Sequence, residues 1–262
     1  MEAVTGVFSS RSGAERALAL LRSIGVSEKR VTLLTPQSSE TSQQLAPADA
    51  TEQPGMGKAI GAVLGGSAGL TGGLVLAAIV PGVGAITAIG LLGGAIVAAA
   101  GATVGAVAGE KFEESMTGGL PEDELFVYED ALRKGRSVVI AMADDETAAS
   151  RFRELLKVEG AESVDAAREQ WWIGLRSAEN EHYSTLGKNF HEDEKFYRMG
   201  FESALHARTR CKEYDQVMGE MSAQIEDLER QYPGKNAEEP FTRGYERGRD
   251  YYQTLCSEAK AA

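Results

Sequence analysis

Three histidines, His182, His191 and His206, are all the chain offers for imidazole chemistry. Glu179-Asn180-Glu181-His182 is a Glu-x-x-His step, the spacing that di-iron carboxylate bundles use on one helix face. Such a site needs two of these steps and two further carboxylates, and neither His191 nor His206 has a Glu three residues before it. A symmetric dimer would supply a second copy, which keeps a metal site among the readings. His191, beside Glu192 and Glu194, reads as a solvated helix start. Cys211 and Cys256 each stand two residues before a Glu and read as half-buried thiols; a disulfide between neighbouring helices would stay reduced on a cytosolic face. Gly82-Val83-Gly84 reads as a turn and not a phosphate loop, since no Lys-Ser/Thr follows and no strand is expected before it. No Ser-His-Asp or Cys-His constellation is present. The chain is expected to be no enzyme, with no catalytic residue, no metal ligand and no cofactor.

The elements that carry these residues divide the 262-residue chain unevenly. Charged residues are 25% and hydrophobic residues 43%, values of a globular protein, so wholesale disorder is excluded. The net charge of -12 repels phosphate backbones and argues against nucleic-acid partners. From Ala59 to Gly109, however, 51 consecutive residues carry no charge, so all 66 charges fall on the other 211.

Two stretches resemble each other at an offset of about 135, which holds to the residue over the helix and its closing turn. Val4–Phe8, Ser10–Arg22, Ile24-Gly25-Val26 and Val31–Leu34 match Val138–Met142, Asp145–Lys157, Glu159-Gly160-Ala161 and Ser163-Val164. Each reads as strand, helix, strand. Ser12 with Glu15 reads as a capping box, Asp145 as an N-cap, and Gly25 and Gly160 as helix terminators. Paired, the two units make a four-stranded antiparallel sheet with helices on one face, the ferredoxin-like arrangement. A further helix is expected at Glu122–Lys134.

The predicted fold class is therefore α+β: a ferredoxin-like split βαβ domain interrupted by a two-helix, glycine-rich apolar hairpin and followed by an α-helical C-terminal region. The predicted divisions are 1–35 (first half), 36–55 (flexible linker), 56–110 (hairpin), 111–170 (second half) and 171–262 (acidic helical region). Within the last, Tyr214, Val217, Met218, Met221, Ile225, Leu228 and Tyr232 follow helical spacing up to Pro233-Gly234. A fainter repeat at an offset of 44 sets Tyr197-Arg198-Met199-Gly200-Phe201-Glu202 against Phe241-Thr242-Arg243-Gly244-Tyr245-Glu246. Aromatic stripes at this spacing read as the core of a small bundle.

The hairpin is expected to turn at Pro81, Gly82 and Gly84. Its arms, Ala59–Val80 and Val83–Ala108, are each long enough as helices to span about 30 Å of hydrocarbon. Gly57, Gly61, Gly65, Gly69 and Gly73 recur every fourth residue, and Gly93, Gly101, Gly105 and Gly109 keep the step with Val97 between. That spacing is a glycine zipper for helix packing and oligomerisation. Each glycine costs close to 1 kcal/mol in a water-exposed helix, so the segment is expected to seek lipid or copies of itself. Membrane insertion through transmembrane helices is the first expectation, and a soluble homo-oligomer with its hairpins gathered centrally the second. Met1-Glu2-Ala3-Val4-Thr5 shows no secretory start, and Lys58 and Lys111 flank the hairpin, which places both soluble parts on the cytoplasmic side of the cytoplasmic membrane. The alternative localisation is cytoplasmic.

The order of motifs resembles the general stress protein (17M-like) family. It is carried by Gly6-Val7-Phe8, the glycine-rich hairpin, Leu120-Pro121-Glu122-Asp123-Glu124, Tyr128-Glu129-Asp130-Ala131-Leu132-Arg133-Lys134-Gly135 and Val138-Val139-Ile140, over about residues 3 to 165. The resemblance implies a bacterial protein linked to the general stress response, without catalysis and associated with membrane. The helical tail lies beyond it and offers a surface for a protein partner. Two rivals remain: a soluble oligomeric module that binds a small ligand or regulates, and a metal-dependent helical enzyme built on the tail.

Overall fold

A computed structural model describes residues 1–36, 75–80, 83–89, 123–210 and 212–261. They form a mixed α+β protein of two compact units, Met1–Pro121 with Val127–Ala167, and Glu122–Phe126 with Arg168–Ala262.

In the first unit the chain runs β1 (Glu2–Phe8), α1 (Arg11–Ser23), a 3-10 turn (Glu28–Arg30), β2 (Val31–Pro36), β3 (Val75–Val80), β4 (Gly84–Ile89), α2 (Leu125–Arg133), β5 (Ser137–Ala143), α3 (Glu146–Val158) and β6 (Glu162–Ser163). The strands make one antiparallel sheet in the order β3-β4-β2-β5-β1-β6. Val4 pairs with Ala141 and Leu33 with Val139, which puts alternate apolar side chains on one face. There Ala14, Ala17, Leu18 and Leu21 of α1 and Ala149, Phe152 and Leu156 of α3 close over Val4, Phe8, Val31, Leu33, Val139 and Ala141. Each large side chain so buried contributes about 1.5–3 kcal/mol. On the opposite face Val7, Leu34, Val138 and Ile140 are also buried, and the Thr5 hydroxyl lies 2.9 Å from that of Tyr128 on α2.

Helix ends follow local chemistry. Asp145 accepts from the Ala148 amide, and Gly25 (φ 92) and Gly160 (φ 89) supply the left-handed residues after α1 and α3. The expected capping box at Ser12 and Glu15 is replaced: Ser10 caps α1 by accepting from Gly13, while Glu15 binds Arg11. A cap needs a residue outside the helix, and Ser12 already lies inside it.

The uncharged block corrects the sequence reading more deeply. Val75–Val80 and Gly84–Ile89 are strands, and β4 pairs with β2 (Leu34 opposite Ala88). The predicted helical arms Ala59–Val80 and Val83–Ala108 therefore cannot run as drawn. Among the described residues no helix is long and apolar enough to cross a membrane, which overturns the transmembrane-helix and membrane assignments. The cause is visible in Val75, Ile79, Val80, Ile86, Thr87 and Ile89: β-branched residues around a Pro-Gly turn favour paired strands, and β2 offers an edge to complete.

The second unit holds the rest of α4 (Val164–Thr185), then α5 (Phe190–Ser203), α6 (Tyr214–Gln231) and α7 (Glu238–Ala261). Val217, Met221, Ile225 and Leu228 of α6 pack with Phe196, Phe241 and Tyr245. A second cluster joins Trp171, Trp172, Tyr183, Phe190, Tyr197 and Phe201, with ring centroids 4.9 Å apart for Tyr183 and Tyr197. Helices α5 and α7 cross through glycines: a Cβ on Gly200, Gly244 or Gly248 would overlap the facing backbone.

Candidate functional site

The turn predicted at Pro81, Gly82 and Gly84 falls between β3 and β4. Val80 pairs with Gly84, so the chain reverses there, but it joins strands and not helices; Pro81 and Gly82 themselves lie outside the described residues. A strand does precede Gly82, contrary to the expectation, yet no Lys-Ser/Thr follows, so the turn still lacks the parts of a phosphate loop. Gly57, Gly61, Gly65, Gly69, Gly73, Gly93, Gly101, Gly105 and Gly109 lie outside the described residues.

What the hairpin does provide is the last strand of the sheet. β3 is Val-Leu-Ala-Ala-Ile-Val, six residues without a charge or a proline, with β4 on one side and no strand on the other among the described residues. An edge of this composition carries none of the devices, such as lysine or proline, that keep sheet edges apart.

The Glu-x-x-His step is not held open for a metal. Glu179 is 2% exposed and fully engaged: Arg247 donates to both of its oxygens at 3.1 Å and the Tyr197 hydroxyl donates at 2.7 Å. Burial and the neighbouring Glu179 carboxylate push the Tyr197 hydroxyl well above its usual range. Next to it Glu194 accepts from the Trp172 indole (2.9 Å) and from Arg176 (2.6 Å twice), and Arg176 holds that carboxyl below its usual value. The Tyr183 hydroxyl donates to Asp193 at 2.9 Å. These groups satisfy one another and orient the aromatic cluster; no group of three or more metal-ligating side chains gathers among the described residues. Cys211 lies outside the described residues and Cys256 is a half-buried thiol on α7.

Sequence reasoning missed a cleft of about 710 Å³ on the sheet unit. The turn after α1 (Ile24 to Ser27) forms one wall, and the end of β5 with the first turns of α3 forms the other. Arg30 binds Asp144 across its rim, while Asp145 is occupied in capping α3. The two turns come from different halves of the repeat and from different positions within it, one after a helix and one before it, so only pairing of the halves brings them together.

Comparison with protein-family models, with curated proteins and with solved structures finds no match to this chain.

Proposed function

We propose that this chain is a non-enzymatic, general-stress-related module that assembles with copies of itself through the uncharged middle of its sequence. The observation that carries the reading is the position of β3, an apolar strand at the end of the sheet. The strand order β6-β1-β5-β2, with α1 and α3 on one face, supports a ferredoxin-like core to which the β3–β4 hairpin is added beyond β2.

A second copy meeting β3 edge to edge continues the hydrogen-bond ladder. Six residues supply about six backbone bonds at most, each worth about 0.5–1.5 kcal/mol net. Association costs about 4–15 kcal/mol in lost freedom, so the ladder alone is marginal. The added drive comes from the surrounding 51 uncharged residues, with their glycine steps Gly61 to Gly73 and Gly93 to Gly109 flanking the two strands in sequence. The charge distribution agrees: a chain of net charge -12 repels its copies everywhere except along this segment.

Sedimentation velocity on the full chain tests this. The native protein is expected to sediment as a dimer or larger assembly. Ala77→Lys and Ala78→Lys, which put a charge at successive positions of the edge strand, are expected to weaken assembly by about tenfold or more. A native monomer, or variants that assemble unchanged, would overturn the reading. The stress assignment rests on the motif order and predicts that the protein's abundance rises under heat or salt stress; constant abundance removes it.

A further inference from the structure

The cleft on the sheet unit has a floor and a charge that the rest of the unit leaves unused. Met142 and Phe152 are buried at 4% and 7% exposure, and half-buried Ile24 and Val26 continue the apolar surface. Its volume lies within the range of small-molecule sites, about 300–1,000 Å³. At the rim, Asp144 is neutralised by Arg30, and Asp145 keeps its charge, turned to the Ala148 amide as the N-cap of α3. Arg151 remains. Every other arginine described in this unit pairs with a carboxylate, whereas Arg151 has no carboxylate partner among the described residues. In a chain with 39 acidic against 27 basic residues, an arginine left unpaired at a concave apolar site is a feature that needs a role.

We propose that this cleft binds a small carboxylic acid anion with a compact apolar body. The carboxylate pairs with the Arg151 guanidinium, whose planar fork matches it, and the body lies on Ile24, Val26 and Phe152. The already neutralised Arg30–Asp144 pair closes the rim without competing for the anion. This inference does not depend on self-association through β3, since the cleft is built from other elements.

Chemical-shift titration of the full chain with phenylacetate and with hexanoate tests it. Saturable shifts are expected at Ile24–Ser27, Met142 and Thr147–Phe152, with affinity in the range of about 1 mM. Inorganic phosphate, which lacks the apolar body, and 2-phenylethanol, which lacks the charge, are each expected to bind about fivefold or more weakly. Arg151→Gln, at an exposed position that leaves the fold intact, is expected to cost the carboxylates about fivefold or more. Absence of saturable shifts up to about 10 mM of both carboxylates, shifts centred elsewhere, or unchanged affinity in Arg151→Gln would overturn the proposal.

Discussion

Gly200 and Gly244 are reciprocal across the crossing of α5 and α7. A side chain on Gly200 would run into the carbonyl of Phe241, with the carbon at 2.7 Å, and one on Gly244 would run into the carbonyl of Tyr197, with the carbon at 2.8 Å. The offsets are identical, 244 − 200 = 44 and 241 − 197 = 44, so the tail repeat forms a local two-fold at this contact. Similar sequences meet as similar surfaces, and the glycines let the two backbones touch.

Gly200→Ala and Gly244→Ala are each expected to destabilise the helical unit by about 2 kcal/mol or more, because the obstacle is backbone that has no rotamer to change. The double variant should cost less than the sum, since one separation of the helices relieves both clashes. Urea denaturation followed by tryptophan fluorescence checks both statements. Gly219, with open space around it, serves as the control: Gly219→Ala should be neutral or stabilising by up to about 1 kcal/mol.

Breaking the buried pair from one side leaves an unpaired charge. Arg247→Ala, which strands the buried Glu179 carboxylate, is therefore expected to destabilise by about 3–5 kcal/mol, whereas replacing Glu179 and Arg247 together by methionine should cost far less. Equal losses in the single and double variants would mean that the pair is not the reason for the sensitivity.

Burial pushes the His206 imidazole below its ordinary value; Asp123 and Glu220 oppose this, and Arg168 and Arg208 add to it. The unfolded chain thus takes up a proton first, near pH 6.5. Stability from this group is complete above that pH and declines as pH falls through it toward the lower folded value. Urea midpoints at pH 7.5 and 5.5 should differ for the native chain and differ less for His206→Phe, which retains the stacking on the Phe126 ring 6.3 Å away.

The capping correction is testable in the same way. Ser10→Ala should cost about 1 kcal/mol, and Ser12→Ala only a few tenths. The reverse order would restore the capping box that the sequence suggested.

The elements of the two repeats were legible because their signals are local. Asp145, Gly25 and Gly160 mark helix ends by chemistry that acts within a few residues, and the pairing of β1 with β5 follows from the alternation of Val4, Phe8, Val139 and Ala141. The uncharged block was misread because continuous apolar runs look alike as helix and strand. Its charge-free length suggested lipid, whereas the β-branched residues beside Pro81 and an open edge on β2 decide for strand, and that edge is a tertiary fact. The cleft was invisible for a related reason: Val26 and Arg151 are far apart in sequence and meet only when the halves pair. The tail repeat, by contrast, was visible as sequence, but not its meaning as a two-fold contact through Gly200 and Gly244.

Amide hydrogen exchange at Val75–Val80, followed at low and at high protein concentration, tests the central claim most directly. Edge pairing with a second copy predicts that the β3 amides not bonded to β4 gain protection as concentration rises, while those of β5 stay unchanged. Exchange at β3 that is independent of concentration would contradict self-association through this edge.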